Sequence, residues 1–330
     1  MSETLVVLVT SRSFSSGDLD LRRELAEAGC TVVEGPPDHD PAALAPLLAR
    51  ADAWIAGTAP VTAALLDAAP RLRLVARYGV GVDAVDLAAA GARGVRVTNT
   101  PGANSSAVAD HAVALVLAGL RHVAEGDRGV RAGRWQVRRT RELGRLSVGI
   151  VGLGRIGAGV AARLQGFGSE LLGHDPWLPE ERMTALGVAP VGLDELARRS
   201  DVVTLHSPGD DVLVDASFLA ARPGRTLLVN TARAVLVDED AVADALRSGR
   251  LGGYAADVLA GESGGRPSPL LASDLLDRTV FTPHSGAQTV EAVDQMGRGA
   301  VDAVLALVRD EPLPNLVPLP QQDLGQAVPR

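Results

Sequence analysis

A glycine-rich turn set between a strand and a helix constrains this chain more than any other feature. Residues 146–151 form an apolar run, Gly152-Leu153-Gly154-Arg155-Ile156-Gly157 follows at once, and Ile156, Val160 and Leu164 then recur at helical spacing. Eighteen residues past Gly157, at the end of another apolar run, stands Asp175. Strand, glycine turn, helix, second strand and terminal acid is the arrangement that holds a dinucleotide. In it Gly152 permits the tight turn, Gly154 lets the backbone approach a pyrophosphate, and Gly157 lets the helix pack close to the sheet. The unpaired N–H groups of the first helical turn attract the phosphates. Asp175 accepts hydrogen bonds from the adenosine ribose hydroxyls and repels a 2′-phosphate. The expected cofactor is therefore NAD (NADH), in preference to NADP.

The same rhythm fills the rest of the chain. Apolar runs at 5–9, 31–33, 53–56, 72–76 and 95–98 read as strands, with helical patterns at 18–28, 42–50 and 62–69 between them. A long amphipathic helix is expected over 104–123, capped by Asn104 or Ser105. Further strands are expected near 146–151, 170–174, 202–206, 226–230, 253–257 and 280–282, and a second long helix over 288–309. The tail from Pro312 carries five prolines and is expected to lie over the surface or hang loose. Alternation of this kind predicts an α/β chain of two doubly wound, Rossmann-like parallel-sheet domains. Residues 1–102 plus 289–330 would form a flavodoxin-like substrate domain and 103–288 the NAD-binding domain, with a cleft between them as the expected site.

Composition narrows the chemistry. All 32 basic residues are arginine, so a Schiff-base aldolase, a pyridoxal-phosphate enzyme and a Walker-type ATPase are excluded for want of a lysine. The net charge of −8 argues against a dedicated nucleic-acid binder. The single cysteine, Cys30, supplies neither an internal disulfide nor a metal framework, so no metal is expected. The first ten residues lack a basic region and carry too short an apolar run for a secretion signal. No apolar stretch reaches membrane-spanning length. The expected setting is cytoplasmic.

Three segments just past strand ends carry candidate chemistry. In Asn230-Thr231-Ala232-Arg233, the guanidinium can clamp a carboxylate and polarise an adjacent carbonyl. In Thr282-Pro283-His284-Ser285-Gly286, the imidazole titrates near neutrality and can pass a proton to a nascent alkoxide. In Asp257-Val258-Leu259-Ala260-Gly261-Glu262, a carboxylate beside His284 would fix its tautomer and favour imidazolium.

Together these segments resemble the D-isomer-specific 2-hydroxyacid dehydrogenases, whose members act on phosphoglycerate, glyoxylate or hydroxypyruvate, D-lactate and phosphite. The resemblance runs from Arg77 to about Leu316. It includes Arg77-Tyr78-Gly79-Val80-Gly81-Val82-Asp83, Asn99-Thr100-Pro101-Gly102, the glycine turn, Asn230-Thr231-Ala232-Arg233 and Thr282-Pro283-His284. It implies that Arg233 binds the substrate carboxylate and keto oxygen, that His284 is the acid/base, and that Glu262 is its partner. It also implies that the Val80 and Gly81 amides hold the carboxylate from the first domain, as successive bare amides form an anion nest. Arg155 and Ile156 would meet the pyrophosphate, and His206, Ser207 and Pro208 would border the cofactor. Thr231, Asp257 and the turn His284-Ser285-Gly286-Ala287 would surround the nicotinamide end. A homodimer is implied on the same basis.

The departures from the family pattern are specific. Ala234 and Val235 follow Arg233 where Gly-Gly or Gly-Ala is usual. Ser263 follows Glu262 where a proline is common. Asp110 stands where a glutamate is common, and the stretch 206–218 is shortened. Eight arginines lie between Arg121 and Arg145, a surface or dimer-facing cluster by its composition. Within it Arg138 or Arg139 could hold a distal anion of a substrate, in the same or a neighbouring subunit. Two other functions fit the same residues. One is oxidation of phosphite or a phosphonate; the other is an NADH-sensing, co-repressor-like binding protein.

Overall fold

A parallel sheet covered by helices on both faces has no solvated side, so its strands read as continuous apolar runs. The inner strands of this chain do so in a computed structural model that describes residues 4–209, 211–221, 224–262 and 266–320. Two units emerge, Met1–Asn104 with Gln288–Arg330, and Ser105–Ala287.

The first unit runs β1 (Val6–Val9), α1 (Leu21–Glu27), β2 (Thr31–Glu34), α2 (Pro41–Leu48), β3 (Ala53–Ala56), α3 (Ala63–Asp67), β4 (Leu74–Arg77), α4 (Leu87–Ala92) and β5 (Arg96–Thr98). Its parallel sheet has the order β2-β1-β3-β4-β5. Side chains at Asp20, Asp40, Thr62 and Asp86 each accept from the amide three residues on, which sets the first residue of α1 to α4. The helices are consequently shorter than the apolar periodicity alone predicts. The C-terminal helix Val290–Val308, capped by Thr289, belongs to this unit. It is held by the Tyr78 hydroxyl donating to the Val293 carbonyl at 3.0 Å and by Arg298 paired with Glu24 at 2.5 Å. The proline tail is partly ordered: Leu316 bridges Thr98, and the Val317 amide donates to the Val97 carbonyl at 2.8 Å. Residues 321–330 of the predicted tail lie outside the described residues.

The second unit opens with α5 (Ser105–Leu120) and α6 (Val123–Arg131). It continues through β6 (Ser147–Val151), α7 (Arg155–Gln165), β7 (Glu170–His174), α8 (Glu180–Ala185), β8 (Ala189–Pro190) and α9 (Leu193–Arg199). It closes with β9 (Val202–Leu205), α10 (Ala216–Ala220), β10 (Leu227–Asn230), α11 (Glu239–Arg247), β11 (Gly253–Ala256) and β12 (Thr279–Phe281). The sheet order is β12-β11-β10-β9-β6-β7-β8, all parallel, so the chain reverses direction across the sheet beside β6. That reversal opens the crevice in which such sheets bind ligands. One core, with Val116, Ile150, Val160, Leu164 and Val229, joins the sheet to α5 and α7; another, with Leu196, Val203, Leu228, Leu246 and Tyr254, covers the opposite face.

The long helix expected over 104–123 is a correction. It stops at Leu120 because His122 takes a left-handed conformation (φ +51°), and the first part of the supposed arginine connector is α6. Among the described residues no single helix is long and apolar enough to cross a membrane; α5 with the bent α6 passes by length and composition only, and α5 is largely core.

Candidate active site

The glycine turn has the sterics its sequence predicts. Gly152 has φ +86°, and a Cβ there would meet the Ser207 amide nitrogen at 2.6 Å. A Cβ on Gly157 would lie 2.0 Å from the Gly152 carbonyl oxygen. Over Gly154, the N-cap of α7, nothing lies within 4 Å, so a ligand can approach the bare backbone. Arg155 and Ile156 are the first residues of α7. Asp175 follows β7 and accepts from the Leu153 amide at 2.8 Å and the Trp177 amide at 3.0 Å, which holds its carboxylate beside the turn with lone pairs to spare.

His206, Ser207 and Pro208 follow β9 on the other side of Gly152. The His206 imidazole contacts Thr204 Oγ1 at 2.9 Å and Thr231 Oγ1 at 3.5 Å, and burial brings its pKa down to about 3, so it is neutral and no proton donor. The Ser207 hydroxyl is buried with no hydrogen-bond partner among the described residues. An orphaned hydroxyl beside a turn left bare over Gly154 fits a bound dinucleotide.

Four more groups converge past the carboxyl ends of β10, β11 and β12. Asn230 clamps its own turn: its amide nitrogen donates to the Arg233 carbonyl at 2.8 Å, and its oxygen accepts from the Ala232 amide at 3.0 Å. Arg233 follows, with Nη1 donating to the Ala232 carbonyl at 2.8 Å. Past β12, His284 adopts φ +51°, an uncommon conformation for a side-chain-bearing residue, and its amide donates to the Asp257 and Thr282 carbonyls. Its Nδ1 lies 3.0 Å from Glu262 Oε1, with the two side chains 45% and 39% exposed, so the pair is open to a ligand. The Glu262 hydrogen bond raises the His284 pKa, against burial and the nearby positive charge of Arg233. With Nδ1 taken by Glu262, Nε2 is the ring nitrogen available for proton transfer.

Asp257 sits beneath the turn. Although burial pushes its carboxyl up, hydrogen bonds from His111, Thr282 and the amides of Ser285 and Gly286 bring it down to about 2. Gly286 and Ala287 complete the turn. Sequence reasoning missed three supporting residues: Asn230 as a clamp, His111 on α5, and Glu239 at the start of α11. Glu239 is buried and accepts from the Ala260 amide at 2.8 Å, steadying the segment that carries Glu262. The contacts of His111 and Glu239 are tertiary, and a carboxylate or imidazole inside a helical pattern gives no local signal; the Asn230 clamp depends on a turn geometry that the sequence does not fix. Ser263, in the predicted departure after Glu262, lies outside the described residues.

In the first unit, the buried Arg77 guanidinium donates to the Gly81 carbonyl at 3.0 Å and to the carbonyls of Ala56 and Gly57. Asn99 donates to the Val80 carbonyl at 2.8 Å. Gly79, at φ +139°, makes the bend that precedes them. Of the departures, Asp110 pairs with Arg163 of α7 at 2.5 Å. In the arginine cluster Arg138 pairs with Glu125 at 2.6 Å and Arg128 with Asp277 at 2.8 Å, while Trp135 is 82% exposed.

Two parallel-sheet α/β units, one with a dinucleotide turn beside a histidine–carboxylate pair, define an oxidoreductase-type architecture. The model of the family described as D-isomer specific 2-hydroxyacid dehydrogenase, NAD binding domain, matches residues 113–286. The chain is 41% identical over 292 residues to a D-3-phosphoglycerate dehydrogenase of Mycobacterium leprae, covering 86% of this chain and 54% of that protein. It is 38% identical to a glyoxylate reductase of Korarchaeum cryptofilum, covering 79% and 80% of the two chains. Its fold matches the crystal structure of the TT0316 protein from Thermus thermophilus with a TM-score of 0.82 and 34% identity, over 95% of this chain and all of that one. The chain belongs to the D-isomer specific 2-hydroxyacid dehydrogenase family, with the family's NAD-binding domain. It spans about half the length of the phosphoglycerate dehydrogenases it matches.

Proposed function

We propose that this protein catalyses NAD-dependent transfer of a hydride to and from C2 of a small 2-oxo or 2-hydroxy acid of D configuration. The observation that carries the reading is the His284–Glu262 pair at 3.0 Å with Arg233 close by, on the sheet that bears the nucleotide turn. When bound, NADH supplies the hydride. Arg233 binds the substrate carboxylate and polarises the C2 carbonyl, and the amides of Val80 and Gly81 take part in holding the carboxylate. His284, whose imidazolium form Glu262 favours, gives its Nε2 proton to the C2 oxygen as negative charge develops there. In the reverse direction neutral His284 takes that proton back.

Gly152, Gly154, Arg155, Ile156 and Gly157 receive the pyrophosphate and Asp175 the adenosine ribose, which supports NAD over NADP. Thr231, Ser207, Pro208 and the turn through Gly286 and Ala287 enclose the nicotinamide end, with the uncharged His206 as a wall. Asp257 serves this end through the turn, because its oxygens accept from Ser285, Gly286 and Thr282. The relatives' names favour a phosphorylated three-carbon acid or glyoxylate over phosphite as substrate. The histidine–carboxylate pair favours an enzyme over an NADH-sensing binder. A homodimer is supported by exposed apolar residues at Val123, Val130, Trp135 and Val137. The cytoplasm is the proposed setting, in keeping with the single free thiol at Cys30.

The test is NADH consumption over glyoxylate, hydroxypyruvate, phosphohydroxypyruvate, pyruvate and 2-oxoglutarate, with phosphite oxidation by NAD run alongside. Rapid turnover of at least one 2-oxo acid is expected. Silence on all five, or turnover of phosphite alone, overturns the reading.

A further inference from the structure

The His284 turn is held from below by a residue on another element. The Asp257 carboxylate accepts from the amides of Ser285 and Gly286, both at 2.8 Å, immediately after His284. It also accepts from the Thr282 hydroxyl at 2.5 Å. Asp257 is ionised and can only accept, so Thr282 must donate to it. The Thr282 oxygen is then left as an acceptor for His111 Nε2, which lies 2.8 Å away and 3.3 Å from Asp257 Oδ1. The His111 ring also forms part of the floor of the turn, since a Cβ on Gly286 would meet His111 Cδ2 at 3.4 Å and Asp257 Oδ2 at 3.0 Å.

We propose that His111 is a positioning residue for the His284 turn, donating its Nε2 proton to Thr282 and through it to Asp257. The chain of donors runs His111 Nε2–H to Thr282 Oγ1–H to the Asp257 carboxylate, which grips the turn by two amides. His284 needs such a grip. A non-glycine residue at φ +51° persists only where its surroundings over-determine it. The helix that carries His111 is a rigid base: Ala109, Ala112, Leu115 and Val116 of α5 are buried in the core. The same helix also holds the nucleotide helix. Arg163 of α7 pairs with Asp110 and donates to the Ser106 hydroxyl at 2.8 Å, and a Cβ on Gly159 of α7 would lie 3.1 Å from that of Ala109. Helix α5 therefore sets the proton-donor turn and the dinucleotide helix in one frame. Misplacement of a reacting group by about 1 Å can cost up to a hundredfold in rate.

The proposal rests on His284 being the acid/base, and its test separates the two ideas. The first readout needs no turnover. In protein labelled with ¹⁵N-histidine, the ring signal lost on His111→Gln should report a protonated Nε2; an unprotonated Nε2, as in the Nδ1–H tautomer, overturns the donor chain. The second readout is kinetic, on whichever 2-oxo acid turns over. His111→Gln keeps an N–H donor near the Nε2 position, whereas His111→Asn and His111→Leu do not. The Asn and Leu variants should lose about tenfold in kcat with KM for NADH changed by less than about twofold, and Gln should recover most of that loss. Losses that follow the thermal midpoint instead, equal losses in Gln and Asn, or unchanged kcat in Leu overturn it. If wild-type protein is silent on all five acids, the hydride-transfer reading falls and the tautomer alone decides the donor chain.

Discussion

Of the three left-handed histidines among the described residues, His39, His122 and His284, the first and the last stand in opposite surroundings. His39, in the first unit, has φ +58°, and His284, in the second, has φ +51°. His39 is buried, with Nε2 2.7 Å from Thr10 Oγ1 and Nδ1 2.9 Å from the Pro60 carbonyl. The Pro60 carbonyl can only accept, so Nδ1 carries the ring proton; in the neutral ring Nε2 then accepts from the Thr10 hydroxyl, which itself accepts from Trp54 Nε1 at 2.9 Å. Burial lowers the His39 pKa. His284 is half exposed, faces a carboxylate, and has its pKa raised by that hydrogen bond. His39 is thus a structural plug, its ring enclosed by neutral acceptors and donors. His284 has a carboxylate on one ring nitrogen and the other left open, the arrangement of an acid. Environment, and not residue type, decides which.

His284→Ala puts the contrast under the greatest strain. On the best 2-oxo acid kcat should fall about 10²- to 10⁴-fold, the usual worth of a general acid, with the Kd for NADH by fluorescence titration essentially unchanged. Retained turnover would make His284 another plug. Asp175→Ala should act on the cofactor and not on the proton: KM for NADH rises about tenfold while NADPH improves, as a hydrogen-bond acceptor and a repelling charge are both lost. An unchanged NADH to NADPH preference would count against the assigned ribose contact. His39→Leu should leave kcat alone and lower stability by about 1–3 kcal/mol in urea melts, by stranding the Thr10 hydroxyl and the Pro60 carbonyl. The pH dependence has opposite signs at the two sites. Because the folded His39 pKa lies below the unfolded value of 6.5, its contribution is complete above 6.5 and is lost as pH falls from 6.5 through the lowered folded value. The folded His284 pKa lies above 6.5, so its contribution is present at lower pH and is lost as pH rises through the raised value. A urea-melt series that shows no acid-side loss removed by His39→Leu would refute the first half of that contrast.

What could be read from the sequence divides along the same line. The glycine turn was legible because its constraint is local and steric: φ +86° at Gly152 and a blocked Cβ at Gly157 admit glycine alone, and the spacing to Asp175 is fixed by one crossover helix. The alternation of strands and helices was legible for the same reason, through apolar runs buried on both faces. The break at His122 was not, because the apolar pattern continues to Val123 across it. Arg233, Glu262 and His284 were legible as candidates from their places just past strand ends, but that they act together was implied only by the family resemblance, since some 20 to 50 residues of chain separate them. His111, Asn230 and Glu239 escaped because their importance lies in hydrogen bonds to turns that are remote in sequence or that the sequence cannot orient. His39 escaped too, and nothing in Pro37-Asp38-His39-Asp40-Pro41 distinguishes a plug from an acid.

The proton donor itself is reported by the pH dependence of kcat/KM for 2-oxo acid reduction, in wild-type protein and in Glu262→Gln. Wild-type activity should hold on the acid side and fall along an alkaline limb whose midpoint lies above 6.5, and the neutral amide should move that limb to lower pH, because Glu262 is what raises the His284 pKa. An alkaline limb that stays in place when the carboxylate is removed, or a flat profile in the wild type, would contradict the assignment of His284 and Glu262 as the proton-donating pair.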